Sequence, residues 1–166
     1  LALEYLEYLG TSKYSPQELK QEFYKIGCSF KVHGSLEQVY VSLSGLSSNL
    51  EAGIKLFEHL LADAIPEEEA WTNYINDILK KRIDAKKNAQ HIFSNLVIYG
   101  IYGKNNPSTY KLTEKQLKKL TSIQMVDIIK SLASYQHRVM FYGSTESTEL
   151  KNILETYHNI PTQFKD

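Results

Sequence analysis

The stretch SPQELKQEFYKIGCSFKVHGSLEQVYVSLSG, residues 15–45, changes its hydrophobic period part-way along, and that change decides the fold class. In its first part Leu19, Phe23 and Ile26 recur at helical spacing behind a strong start. Ser15 is a capping residue type, Pro16 suits the first helical position, and Glu18 stands where its carboxylate reaches back to the capping residue's amide. Gly27 stops the helix. From there the period is two. Cys28, Phe30 and Val32 alternate with Ser29, Lys31 and His33; after a turn signal at Gly34-Ser35, Val39, Val41 and Leu43 alternate with Tyr40, Ser42 and Ser44. That spacing predicts an antiparallel hairpin with one apolar face, fed by the helix before it. Cys28 is the single cysteine and has no charged neighbour in sequence, so it reads as a small core residue rather than a reactive thiol.

Outward from the hairpin the chain is mostly helical. Upstream, Leu1 to Tyr8 reads as a helix that ends at Gly10 in a left-handed cap. Downstream, Ser48-Asn49-Leu50-Glu51 resembles a second capping box opening a helix with Leu50, Ile54, Phe57 and Leu61 on one face. Pro66 then leads into Glu67-Glu68-Glu69, three acids suited to the positive end of a helix dipole. From Trp71 to Tyr102 the pattern predicts one long helix, or two joined near Asn88. Lys104-Asn105-Asn106-Pro107-Ser108 is a loop. Thr113-Glu114-Lys115-Gln116 and Thr121-Ser122-Ile123-Gln124 start a short and a longer helix, Arg138–Tyr142 reads as a short strand ending at Gly143, and a last helix carries Leu150, Ile153 and Leu154. The expected fold class is α+β, a small antiparallel or mixed sheet covered by helices on one face. Three strands are few for so many helices, so strands from before Leu1 or from another chain are expected to complete the sheet. A chain that starts inside a helix is expected to be a fragment of a longer multi-domain protein, with residues 1–166 forming a single domain.

Composition excludes several classes. Hydrophobic residues at 42% and charged residues at 23% describe a globular domain rather than a disordered segment. Lys plus Arg number 19 and Asp plus Glu number 19, which leaves no net field to attract nucleic acid or an anionic membrane. No apolar run approaches the roughly 20 residues of a membrane span. The histidines, His33, His59, His91, His137 and His158, are too scattered for a local metal motif, and each is expected at the surface or its boundary. Tyr99, Tyr102 and Tyr110 flank the loop at Asn105 and are expected to pack at the core boundary. No phosphate loop, nucleophile elbow or Cys/His nucleophile pair is present.

One segment resembles a catalytic motif in damaged form. Ala2-Leu3-Glu4-Tyr5-Leu6-Glu7-Tyr8-Leu9-Gly10-Thr11 is similar to the active helix of the pitrilysin family of zinc metallopeptidases, whose signature is H-x-x-E-H followed by Gly-Thr. Glu4 stands at the first His position, Glu7 at the Glu position and Tyr8 at the second His position, and Gly10-Thr11 arrives sooner than in catalytic members. The order of later features resembles the family as well: Leu56-Phe57-Glu58-His59-Leu60-Leu61-Ala62-Asp63 on a helix, Tyr102-Gly103 before a loop, the helix start Thr113-Glu114-Lys115-Gln116-Leu117, Val139-Met140-Phe141-Tyr142-Gly143, and Ile160-Pro161 near the end.

The resemblance implies a processing-peptidase-like fold that lacks its leading strands. Family members carry two similar halves, of which one keeps the zinc motif and the other closes a chamber over the substrate. Glu4, Glu7 and Tyr8 offer oxygens rather than imidazoles, a poor zinc set. The region corresponding to the family's remaining zinc ligand, residues 78–87, carries five cations and one acid, Asp84, and that charge opposes a dication. The implied role is therefore a catalytically inactive half with no catalytic residue, metal or cofactor of its own. Zinc is expected in the catalytic half, in the same chain or a partner chain, and peptide is the expected substrate. The bacterial cell envelope or an organelle suits such a protein. A structural core subunit, or a peptide-binding module with no peptidase partner, are the alternatives.

Overall fold

In the computed structural model of the chain, the opening residues coil in two steps rather than one. An α-helical turn spans Ala2–Tyr5 (α1) and tightens into a 3-10 turn over Leu6–Tyr8. Leu9 is already extended, with φ −94° and ψ 148°, so the helix ends before Gly10 and needs no left-handed cap there. Among the described residues only Gly27 (φ 60°) and Gly103 (φ 68°) have positive φ. Residues 1–34, 38–106 and 109–165 are described; Ser35 of the hairpin turn, and Pro107 and Ser108 of the later loop, lie outside them.

Helix α2 (Pro16–Lys25) begins on the box its sequence encodes. The Glu18 N–H donates to Ser15 Oγ at 3.3 Å, and the Ser15 N–H donates to the Glu18 carboxylate at 2.8 Å. Donation from the Ser15 amide, then from its hydroxyl, holds the Glu18 carboxyl below the usual range. Gly27 stops the helix in the left-handed region, as read. Strands β1 (Ser29–Gly34) and β2 (Val39–Ser44) then pair antiparallel, with Phe30 opposite Leu43 and Val32 opposite Val41. These four side chains are half-buried while their alternates face solvent, which is the predicted period. The apolar face meets two helices through a run of rings: Phe23 of α2 lies 5.3 Å from Phe30, and Phe30 lies 5.5 Å from Phe57 of α3 (Leu50–Asp63). Cys28 is buried beside Gly53, and burial pushes its thiol up, away from thiolate chemistry.

The second capping box is not formed. Ser47–Asn49 is a 3-10 turn, α3 starts at Leu50 behind Asn49 with no side-chain cap, and Glu51 instead accepts from the Tyr157 hydroxyl at 2.7 Å. Asn49 spends its amide on the Ile26 carbonyl, which ties the helix start to the end of α2. Ser15→Ala should therefore cost about 1 kcal/mol, whereas Ser48→Ala should stay within about 0.5 kcal/mol of the parent. Parallel urea melts of the two variants check this, and equal losses would contradict the assigned caps.

The chain divides into two compact units, Leu1–Pro66 with Ile123–Asp166, and Glu67–Ser122. The first holds α1 to α3, the hairpin and the helices α7 (Ser122–Ser131, from Ile123) and α8 (Ser147–Tyr157). Tyr5, Leu6, Leu9, Leu60 and Ile129 are among its fully buried side chains. The second unit holds α4 (Glu68–Ala85), α5 (Ala89–Tyr102) and the single turn α6 (Glu114–Leu117), so the long helical stretch is two helices. Asn88 caps α5 by accepting from the His91 N–H at 2.9 Å, and Thr113 and Gln116 form the expected box at α6. Within this unit the Trp71 indole N–H donates to the Leu120 carbonyl at 2.9 Å.

Two expectations fail in a common way. Arg138–Tyr142 forms no strand, and Val139, Met140, Phe141 and Tyr142 are exposed. A strand needs a ladder partner, and the sheet among the described residues is the hairpin alone, two strands rather than three. Tyr99, Tyr102 and Tyr110 do not pack at a boundary; they are 55%, 65% and 69% exposed. The whole of α5 buries no residue, and Ile92, Phe93, Leu96 and Ile101 are exposed along it. The α+β class itself stands, a small antiparallel sheet with helices on its apolar face.

Candidate functional site

The opening turn sorts its residues by side. Tyr5, Leu6 and Leu9 are buried, while Glu4, Glu7 and Tyr8 are exposed, as the spacing i, i+3, i+4 requires for one helical face. Glu7 borders a cleft of about 460 Å³ between the opening turn, α2 and β1. The cleft floor is apolar, with Leu6, Leu9, Leu19, Phe23 and Phe30, and its rim carries Glu7, Lys20 and Lys31. Ser29, Phe30 and Lys31 of β1 line one side, and among the described residues β1 pairs only with β2, so its other edge carries no ladder. An open strand edge beside an apolar floor has the chemistry to accept an extended peptide: backbone groups make the ladder and the floor takes every second side chain.

The turn that follows is clamped to the end of α3. Thr11 is buried and pairs with Ala64 in an antiparallel bridge, and the Ile65 N–H donates to the Gly10 carbonyl at 3.1 Å. Thr11 Oγ1 accepts from the amides of Lys13 (3.3 Å) and Tyr14 (3.2 Å) and lies 3.0 Å from His59 Nε2. The Ser12 N–H donates to Asp63 Oδ2 at 3.0 Å, and the Ser12 hydroxyl donates to the same oxygen.

The Ser12 hydroxyl is the main reason that the Asp63 carboxyl is held below its usual range; partial desolvation opposes this, and the Ser12 amide, His59 and Lys130 assist. A depressed carboxylate contributes stability that is fully present above its unfolded value and lost as pH falls through the lowered folded value. Urea midpoints of the parent should therefore drop below about pH 4, and Asp63→Asn should flatten that acid limb. Superimposable acid limbs would show that Asp63 does not clamp the turn.

Three solved structures with a similar arrangement are described as proteases. The periplasmic protease PqqL from Escherichia coli matches 99% of the chain with a TM-score of 0.73 and 15% identity. The ferredoxin protease FusC, solved in complex with Arabidopsis ferredoxin, matches 99% at 0.76 and 15%, and a protease from Helicobacter pylori matches 99% at 0.66 and 12%. The fold is that of pitrilysin-like proteases. The chain spans 18% of the length of PqqL and of FusC, and 40% of the Helicobacter pylori chain. No family model matches the sequence, and no curated protein is similar to it in sequence.

The donor set at the opening turn is not one that suits a zinc ion. Zinc at an open catalytic site takes imidazole nitrogens with a carboxylate, whereas Glu4, Glu7 and Tyr8 present two carboxylates and a phenol. Sequence reasoning singled out these three positions but missed the cleft that Glu7 borders. Its floor was legible only as separate helix and strand faces, because Leu9, Leu19 and Phe30 come from three different elements.

Proposed function

We propose that the chain is the non-catalytic half of a pitrilysin-type zinc metallopeptidase, enclosing peptide substrate and docking on the half that carries the zinc. This reading is supported by the fold that the chain shares with protease structures over 99% of its length, together with the sequence resemblance that sets Glu4 and Tyr8 where the family motif has imidazoles. Two surfaces support it. The apolar cleft beside the open edge of β1 suits an extended peptide. The exposed apolar residues of α5 suit the face of the catalytic half, because a helix this apolar is ordinarily covered. Catalytic zinc then belongs to the other half, and the residues of this chain bind, enclose and orient.

The test is peptide hydrolysis. The chain alone, supplied with zinc, should cleave nothing, and the double substitution Glu4→His with Tyr8→His should not restore cleavage, because residues 78–87 bring five cations and only Asp84 where the third ligand is expected. A polypeptide bearing an intact H-x-x-E-H should cleave faster with this chain present than without it. Zinc-dependent cleavage by the unaltered chain, abolished by Glu7→Gln, would overturn the reading. Retention of a fluorescent extended peptide with no effect on any catalytic half would favour the peptide-binding module instead.

A further inference from the structure

Two histidines distant in sequence meet head-on at the end of α8. His158 follows the last residue of α8, and His137 follows the 3-10 turn Leu132–Ser134. Their Nε2 atoms are 2.7 Å apart, and the rings stand at 86° with centroids 4.9 Å apart, so each ring presents its Nε2 edge to the other. On the far side of each ring an acceptor is already in place. His158 Nδ1 lies 2.7 Å from the Glu58 carboxylate, and His137 Nδ1 lies 2.7 Å from the Tyr135 carbonyl.

Proton bookkeeping on these three contacts leaves a vacancy in charge, not in space. The Tyr135 carbonyl only accepts, so His137 carries its proton on Nδ1. The Glu58 carboxylate accepts as well, so His158 carries its proton on Nδ1. A neutral imidazole has one N–H, and both are spent. With both rings neutral, each Nε2 would turn a lone pair on the other across 2.7 Å, an arrangement that a proton or a metal ion between them relieves. The outer contacts are those that orient metal-binding imidazoles, in which the ring nitrogen away from the ion donates to a carboxylate or a backbone carbonyl.

We propose that His137 and His158 form a two-imidazole site for a divalent transition-metal ion of the Cu(II), Ni(II) or Zn(II) class, the ions that imidazole suits. Opening the pair from 2.7 Å to about 3.3 Å gives the separation of two nitrogens on a tetrahedral ion with bonds of about 2.0–2.1 Å. That movement is available, because His137 is exposed and held at its root by the Tyr135 carbonyl, with only the Phe164 ring edge-on to it at 6.1 Å. His158 is the fixed member, its side chain 12% exposed and clamped by Glu58 of α3. Two cations belong to the same neighbourhood, Arg138 next to His137 in sequence and Lys165, whose amine lies 5.9 Å over the Tyr135 ring, and their charge opposes the ion. Water completes the coordination. An ion here would tie the root of the exposed 138–142 segment to α8, independently of any role in peptide handling.

Isothermal titration of the untagged chain at pH 7.5 with cupric, nickel or zinc chloride tests the site. One ion per chain is expected, tightest for copper, with binding abolished in His137→Ala and unchanged in His91→Ala, an exposed histidine on α5. Glu58→Gln should weaken binding about 10–100-fold while leaving both imidazoles in place. His137 is exposed, so its variant should keep the parent's circular dichroism, which separates loss of a ligand from loss of fold. Failure of the folded parent to bind, or binding that survives His137→Ala, would overturn the proposal, and the pair would then be bridged by a proton alone.

Discussion

Replacing Leu60 by Ala should remove 2–5 kcal/mol of folding free energy, a large part of the roughly 5–15 kcal/mol that holds a domain of this size. Leu60 is fully buried on α3, between the two residues that hold neighbouring structure: Glu58, which clamps His158, and Asp63, which clamps the turn at Ser12. Truncation forfeits the transfer energy of the lost methyl groups and adds a cavity term, because helix α3 is anchored at both ends and relaxes little. The urea midpoint should fall with the slope unchanged. Leu96→Ala is the instructive contrast. Leu96 is 64% exposed on α5, so in this chain alone the substitution should change stability by no more than about 0.5 kcal/mol. The same change should weaken association with a catalytic half if α5 is the docking face. A Leu60→Ala loss below about 1 kcal/mol would mean that α3 is not the central strut of its unit.

Local chemistry was legible in the sequence and distant pairing was not. The Ser15 and Thr113 boxes, the stop at Gly27 and the period of the hairpin each depend on residues within one turn or one ladder step, and each formed as read; of the two readings open near Asn88, the break is the one that formed. Ser48 misled because its partner Glu51 had a better acceptor's task, taking the Tyr157 hydroxyl from α8, a contact between residues 106 positions apart. The strand expected at Arg138–Tyr142 shows the same limit from the other side: residue types favour extension, but a strand exists only where a neighbour supplies the ladder. The candidate site divides likewise. Glu4, Glu7 and Tyr8 were singled out by resemblance to a family motif, whereas the cleft and the His137–His158 meeting arise from elements that only folding brings together. The five histidines are scattered along the chain, and the contacts of His158 cross it, for Glu58 lies 100 residues away.

Gly10→Ala should destabilise by about 1–3 kcal/mol or more, for a reason opposite to the one a helix-ending glycine suggests. A left-handed cap would make the cost conformational, but Gly10 has no positive φ, and any residue adopts its backbone angles without strain. The obstacle is space. A Cβ at Gly10 would stand 2.5 Å from the Tyr14 carbonyl oxygen and 3.0 Å from both N and Cδ of Pro16. Neither neighbour yields readily. The Tyr14 carbonyl accepts from the Thr11 N–H at 2.8 Å, and Pro16 is the first residue of α2, held behind the Ser15 cap. Relief would require the Gly10–Ser12 segment to lift from α3, breaking the Ile65 amide bond to the Gly10 carbonyl and the Ser12 bonds to Asp63. Leu9, which lines the cleft, would move with it, so a peptide held there as proposed should be lost together with stability. The diagnostic comparison is Gly27→Ala, where φ is positive and a Cβ meets nothing nearer than 3.7 Å, so its cost is backbone strain without a clash. Gly27→Ala should lower the urea midpoint while leaving the Asp63-dependent acid limb intact, and Gly10→Ala should lose both. A Gly10→Ala variant as stable as the parent, with its acid limb preserved, would show that the turn tolerates a side chain there and that the close approach to Tyr14 does not define it.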